Sequence, residues 1–431
     1  MKKVVYFFVL IGLQLLLSIL GDQLSGQSNM FNSKFSPDGN KIAVVIGKNI
    51  KIWDLQKGGF TFLLKGHSDE IQRVWFDPTG QKLVSFASDE NTKVWDLTTG
   101  KNIATLGIIF QEFEFSNLIN IDFSSDGLKI VIAYGMTAIV YDTRSGSQLV
   151  KISIEEKHSI TNALFSPDNK KILTFGENQQ VTLWDAFSGK EIRNLGDYRR
   201  STPARAACFS PNSEKVAITY DYGKPIVWEV STGESLKNLI LTGFPYLTKI
   251  NYTNDGKRII ASTSENEAFV WDATTGMLQK PLTGFKPYSM ESVSITPQFY
   301  RNNDFIVASR EDTVFIWETN QPPIPRKYKL GSVVQDFQLQ KGKVLSSKSS
   351  TLLIHNLETG TLAYALGIIG MSNWVIFNRF GEYDGTIDGI NRIKSNGFKP
   401  YHSMIRTKTW KHVPGLKTKI LAEEKKKPVV N

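Results

Sequence analysis

FDPTGQKLVSFASDENTKVWDLTTG, residues 76–100, is the stretch on which the reading of this chain turns. Phe76 leads into Asp77-Pro78-Thr79-Gly80, a turn in which Pro presets φ and Gly accepts the positive φ that other residues avoid. A basic residue and a β-rich run follow, then a second turn, a strand ending in Trp95-Asp96, and a third turn closed by Gly100. Working outward, the terminal pair recurs as Trp53-Asp54, Trp95-Asp96, Tyr141-Asp142, Trp184-Asp185, Trp228-Glu229, Trp271-Asp272, Trp317-Glu318 and His355-Asn356. The pairs are almost evenly spaced, and the last gap is the shortest. A period of about 40–45 residues with this signature describes stacked four-stranded units in one body, not separate domains.

The opening turn repeats after Phe35, Phe76, Phe123, Phe165, Phe209 and Tyr252, and the distance from that aromatic to the ring of the pair is constant to within one position in all six units. So constant a spacing leaves room for two strands and one tight turn. A glycine stands five residues after the pair's ring at Gly58, Gly100, Gly146, Gly189, Gly233, Gly276 and Gly360, marking the turn into each outer strand. Unit seven departs: 295–304 carries an insertion, and Pro322 replaces the turn glycine. Unit eight lacks a Trp, yet Phe337 and His355 keep the same separation and Gly360 is in register, so it counts as a repeat.

Turn, pair and glycine kept in register resemble the WD-repeat β-propeller family over residues 31–367. The resemblance implies an all-β fold, a propeller of four-stranded antiparallel blades. Eight blades is the preferred count, and seven with units merged at the seam is the alternative. The Gly-His step that the family places before each unit occurs here at Gly66-His67, and with it go Ser85, Asp89 and Trp95 as a structural network. Elsewhere the Asp position holds Asn178 or Glu265, and His158 is an approximate match. The ring is therefore expected to rest more on apolar packing than a regular family member does.

The net charge of +10 is unevenly placed: residues 368–431 hold 12 Lys or Arg against 5 Asp or Glu, and Lys2 and Lys3 add two more. The repeat body is thus nearly neutral, and nucleic acid is not an expected partner. Lys2-Lys3 followed by the apolar run 4–20 reads as a signal peptide or N-terminal anchor over 1–21, which places the protein outside the cytoplasm, in the periplasm or cell envelope. The lone Cys208 forms no internal disulfide and, inside a strand, reads as a buried inert thiol.

Nothing in the chain reads as catalytic. His67, His158, His355, His402 and His412 have no metal-ligand spacing, there is no nucleophile elbow and no phosphate-cradling glycine loop, and no cofactor or metal is expected. His355, in a Trp slot, reads as a core or rim residue. The aspartates are assigned to turns and Trp-Asp pairs, Asp168 and Asp255 among them. Binding is the better reading. The loops leading into the units carry aromatics and Arg, the residue types that dominate interface hot spots: Phe110, Phe113, Tyr198, Arg199, Arg200, Phe244, Tyr246, Phe285 and Tyr288.

The C-terminal extension, 368–431, opens with 373–386, a strand-like run, a Gly turn and an aromatic with Asp-Gly, read as a hairpin. This segment resembles one in bacterial proteins that join propellers to caspase-like peptidases; no Cys follows it, so no such peptidase operates in this chain. The basic tail 392–427, with Phe398, Tyr401 and Trp410, is a candidate for weak contact with an anionic membrane surface. The function expected is an exported, non-catalytic scaffold that binds protein partners through its loop faces. A structural envelope component tethered at both ends, and an enzyme with an axial active site, are the rival readings.

Overall fold

The structure, a computed structural model, describes residues 33–57, 59–107, 120–154, 160–176, 180–195, 202–221, 223–241, 246–263, 268–282, 294–300, 305–318, 325–339, 341–348, 351–369, 373–378, 382–385 and 411–412. Among them every regular element is a β-strand, and no helix is long and apolar enough to cross a membrane. The signal or anchor segment and most of the basic tail lie outside the described residues.

The strands form an eight-bladed β-propeller of four-stranded antiparallel blades: 34–64, 71–107, 120–153, 160–194, 204–238, 247–282, 294–329 and 333–369. Within each blade the strands pair in sequence order, the first innermost and the fourth outermost. In the seven blades whose pair is Trp53, Trp95, Tyr141, Trp184, Trp228, Trp271 or His355, the ladder to the outer strand shifts register at that ring. Such a bulge bends the strand and increases its twist, turning the outer strand away from the axis. The second residue of the pair then caps the turn. Asp142 Oδ1 accepts from the backbone N–H of Arg144 and Ser145 at 2.8 and 2.9 Å, and Asn356 Oδ1 does the same for Glu358 and Thr359 at 3.0 Å. Gly100 closes one such turn at φ +71°, where a Cβ would stand 2.3 Å from the Phe62 ring of the preceding blade, so backbone and space both require glycine.

Each junction between adjacent blades has its own apolar cluster, which is why the middle strands read as near-continuous hydrophobic runs. In Lys41–Ile46, Ile42, Val44 and Ile46 pack toward blade eight, while Ala43 and Val45 pack toward blade two. A blade is thus a sheet buried on both faces. Each fully buried Val, Leu or Ile contributes about 1.5–3 kcal/mol.

Among the described residues no strand is exchanged across the seam, and side chains join blades one and eight. Phe35 and Trp53 of blade one pack with Leu345, Leu352 and Ile354 of blade eight. Phe35 N–H donates to Asp336 Oδ2 at 2.8 Å, and Gln338 Nε2 donates to the carbonyls of Ser36 and Pro37 at 3.0 and 2.9 Å. The same tether recurs inside the ring, where Phe165 N–H donates to Asp122 Oδ2 at 2.8 Å. Asp122 and Asp336 belong to neither a turn nor a Trp-Asp pair, which corrects the assignment of the aspartates to those two roles. Each carboxylate replaces a hydrogen bond that the innermost strand cannot obtain from a neighbouring strand. Burial pushes the Asp122 carboxyl up to about 6 against the bonds from Phe165 and Phe123 N–H, and burial raises Asp336 against the pull of Lys34.

Unit seven's insertion is absorbed locally. Its innermost strand, Ser294–Tyr300, slips between Ile295 and Gln298 in pairing with Phe305–Arg310, and its outer ladder, Thr313–Ile316 with Arg326–Lys329, runs without a register shift. The outer strand of blade eight, Leu362–Ile369, runs past residue 367 and pairs with Asn373–Asn378, which pairs with Glu382–Gly385, which takes Lys411–His412 in parallel. The described strands of the C-terminal extension are therefore continuous with this blade's sheet and cover its edge, a surface that would otherwise offer unpaired backbone groups.

Candidate functional site

The chain enters each blade at one end of its innermost strand, and the turn between second and third strands returns to that same face. In blade two this face carries the most complete polar network among the described residues. Trp95 Nε1–H donates to Ser85 Oγ at 2.8 Å, Ser85 Oγ meets His67 Nε2 at 2.7 Å, and His67 Nδ1 lies 3.0 Å from both carboxylate oxygens of Asp89. An indole N–H only donates, so the serine proton goes to Nε2 and the imidazole carries its own proton on Nδ1, toward the carboxylate. Asp89 also accepts from Ser68 N–H at 2.8 Å and Asn91 N–H at 3.1 Å. Burial holds the His67 pKa down, with Asp89 acting against it, and the bonds received by Asp89 outweigh its desolvation and hold it below the usual carboxylate range. A neutral, buried imidazole with both nitrogens committed has no proton to exchange with a substrate. This network pins the loop 66–68 to the second-to-third-strand turn. His158, Asn178 and Glu265 lie outside the described residues.

The slot beside Trp95 is filled differently round the ring. Trp184 Nε1 donates to Thr174 Oγ1 at 2.7 Å, and Trp271 Nε1 donates to the Ile240 carbonyl in the link from blade five to blade six at 2.7 Å. In blade eight His355 Nε2 meets Ser346 Oγ at 3.0 Å, and Ser346 Oγ meets Ser332 Oγ at 2.7 Å. Burial drives the His355 pKa down to about 4, so it is a neutral core ring. Burial also pushes the Cys208 thiol up to about 12, which leaves no reactive thiolate. Among the described residues no three of His, Cys, Asp and Glu lie close enough to hold a metal ion.

Of the candidate partner-binding residues, Phe110, Phe113, Tyr198, Arg199, Arg200, Phe244, Phe285 and Tyr288 lie outside the described residues. Tyr246 is described, at the approach to blade six, and is 36% exposed. The Arg205 guanidinium stacks over its ring at 5.0 Å and forms a two-pronged ion pair with Asp221, its second prong at 2.9 Å. Arg205 is the second residue of the innermost strand of blade five, Ala204–Phe209, and Asp221 follows the second strand, Lys215–Tyr220. Both escape a sequence reading that looks for aromatics in loops, because they stand at strand ends; the visible signal was an Arg at a strand's first exposed position. The fork fixes the guanidinium plane, which holds the tyrosine in a set orientation on the lead-in face.

The family model for the WD domain, G-beta repeat (WD40), matches residues 58–96, the second unit. Over longer stretches the chain is similar to a U5 small nuclear ribonucleoprotein 40 kDa protein of Dictyostelium discoideum, 27% identical over 311 residues, 69% of this chain and 83% of that protein. It is 24% identical over 137 residues to a WD repeat-containing protein 89 homolog of the same organism, and 22% over 134 residues to a guanine nucleotide-binding protein subunit beta of Solanum tuberosum. These two alignments cover 32% and 30% of this chain, and the chain spans 36% of the length of each of those two relatives. WD-repeat proteins act in general as scaffolds for protein interaction. The fold is an eight-bladed β-propeller in repeat register, and the WD-domain match in its second unit and these similarities support a WD-repeat β-propeller.

Proposed function

We propose that the protein is an exported, non-catalytic scaffold that seats protein partners on the lead-in face of its ring. The observation that carries this reading is the Arg205–Tyr246 stack anchored by Asp221. An oriented, part-exposed tyrosine beside an immobilised guanidinium loses little side-chain entropy on binding, which is the physical character of an interface anchor. Two of the relatives are by name components of assemblies, a guanine nucleotide-binding protein subunit and a small nuclear ribonucleoprotein protein. Lys2-Lys3 and the apolar run 4–20 support export.

Crosslinking in the native cell envelope tests the face. Tyr246→Ala, which leaves the Arg205–Asp221 pair in place, is expected to reduce recovery of the captured partner at least tenfold. Phe187→Ala, at a ring 68% exposed in a turn on the opposite rim, is expected to leave recovery unchanged. Equal recovery from wild type and Tyr246→Ala would move the partner to another surface. The mass of the mature N-terminus, measured on the same material, reports whether 1–21 is removed.

A further inference from the structure

The turn between third and fourth strands lies on the face opposite the lead-in loops. Its residue three places after the pair's ring is Phe187 in blade four and polar in the other seven units, with Arg144, Ser231 and Thr274 in blades three, five and six. Phe187 is 68% exposed, the most of any large apolar side chain among the described residues. It is nevertheless held. Lys129 opens the second strand of blade three, Lys129–Tyr134, and its amine lies 4.1 Å from the centroid of the Phe187 ring. A cation over a ring is attracted by the ring's negative face, so this contact between blades fixes the ring and leaves most of it in water.

Backbone bonds bring further groups to this rim. Ala186 N–H donates to the Lys170 carbonyl and Asp185 N–H to the Lys190 carbonyl, both at 2.9 Å, so residues 170 and 190 flank the turn that carries Phe187. On blade three, Thr143 N–H donates to the Leu128 carbonyl at 3.0 Å, which sets Leu128, 39% exposed, beside the Arg144 turn and next to Lys129. Lys170 and Lys190 are exposed, and among the described residues neither has an ion-pair partner. The neighbouring carboxylates are occupied within their own turns. Asp185 Oδ1 accepts from Phe187 and Ser188 N–H at 3.1 and 2.7 Å, and Asp168 Oδ1 accepts from Lys170 N–H at 3.1 Å. A single exposed ring needs no partner on its own account. This one is oriented by Lys129, extended by Leu128 and framed by two unpaired amines.

We propose that the rim of blades three and four binds an acidic peptide segment carrying an apolar side chain. The apolar group covers Phe187 and Leu128, and flanking carboxylates pair with the Lys170 and Lys190 amines. A ring already fixed loses little freedom on binding, and an aromatic anchor with a polar surround is the usual centre of an interface. Charge complementarity then selects acidic over basic segments. A flat anionic bilayer suits this rim less well, because Asp126, Asp142, Asp168 and Asp185 stand on it and repel such a surface. A peptide places its acids opposite the amines alone. The site lies on the face opposite Tyr246 and acts independently of it.

Fluorescence anisotropy of a labelled synthetic peptide, Glu-Glu-Leu-Leu-Glu-Glu, titrated with the full-length protein at low ionic strength, is expected to saturate. Its counterpart with lysine in place of glutamate is expected to bind at least tenfold more weakly. Phe187→Ser, which copies the Ser231 of blade five, is expected to weaken binding of the acidic peptide at least tenfold at unchanged Tm, and Phe187→Trp to retain it. Lys170→Glu combined with Lys190→Glu is expected to reverse the preference, so that the lysine peptide binds more tightly, which a misfolded protein would not do. Tyr246→Ala is expected to leave the titration unchanged, so this site and the lead-in face fail separately. No saturable binding of the acidic peptide, or equal affinity of wild type and Phe187→Ser, overturns the proposal. Sedimentation with phosphatidylglycerol vesicles that is lost in Phe187→Ser, without peptide binding, overturns it in favour of a membrane contact.

Discussion

In blade two the ring slot beside the second strand holds Trp95, whose N–H reaches Ser85 and through it His67 and Asp89; in blade eight the same slot holds His355, which meets Ser346 and through it Ser332. Both rings are buried, at 2% and 4% exposure, and both aim a nitrogen at a hydroxyl two residues along the second strand from their cross-strand partner. The slot therefore asks for a flat ring with one hydrogen-bonding nitrogen, and indole is one solution of two. The solutions differ in volume and in charge. Indole fills more of the junction, and imidazole can take a proton. Truncation separates the volumes. Trp95→Ala is expected to cost about 3–5 kcal/mol, the range for emptying a large buried aromatic. His355→Ala removes fewer atoms and is expected to cost less, read as the smaller fall in Tm under identical buffer. Equal losses would mean that the polar network, not the ring, dominates the slot.

Charge gives the next effect. His355 is held near 4 in the folded chain against 6.5 for a free imidazole. Between those pH values the unfolded chain binds a proton that the folded chain refuses. Stability on this account is complete above pH 6.5 and is lost as pH falls toward 4, by up to about 3 kcal/mol. His355→Gln, which does not titrate, is expected to flatten that slope in a series of melts from pH 7 to 4. Asp122 acts with the opposite sign, since its raised folded value costs stability as pH rises from 4 to 6, so the comparison is made between variant and parent at each pH. A slope unchanged by His355→Gln would show that water reaches this ring.

The blade-two network predicts a smaller loss. Asp89→Asn keeps an oxygen for Ser68 N–H but removes the charge that His67 Nδ1–H addresses. Loss of a charge-assisted bond to a buried group is expected to cost about 1.5–3 kcal/mol. Proteolysis is expected to find the freed loop 66–68 first, whereas a similar cleavage rate in parent and variant would show that another contact holds it.

These comparisons mark where the chain was readable as a sequence. Gly100 and Asp96 announce a turn because each answers a local demand, a positive φ in one case and an N–H acceptor in the other. The unchanged distance from Phe337 to His355 revealed blade eight for the same reason: two strands and a turn have a fixed length. Asp122, Asp336 and the Arg205–Asp221–Tyr246 cluster gave no such signal. Their partners lie on other blades or at the far end of a strand, and Phe35 and Asp336 are 301 residues apart. Contacts made only when the ring closes leave no spacing in the chain.

The finest test compares two tryptophans that the sequence presents as equivalents. Trp184 has Thr174 beside its Nε1, whereas the matching position of blade five is Ile218, and the Trp228 Nε1 has no acceptor among the described residues. A buried donor left unpaired forgoes a bond that it had with water in the unfolded chain, so replacing it with an apolar ring removes a penalty along with some packing. Trp184→Phe, by contrast, removes a formed bond and strands the Thr174 hydroxyl. Both variants lose the same indole volume, which cancels in the difference. Trp184→Phe is therefore expected to be the more destabilising by about 1 kcal/mol, a gap of a few degrees or less in Tm for a chain of this size. If Trp228→Phe proved the costlier, a water molecule must complete the bond in blade five. The worn positions of the ring would then be solvated variants of the blade-two network, and the apolar junctions would contribute less than their burial suggests.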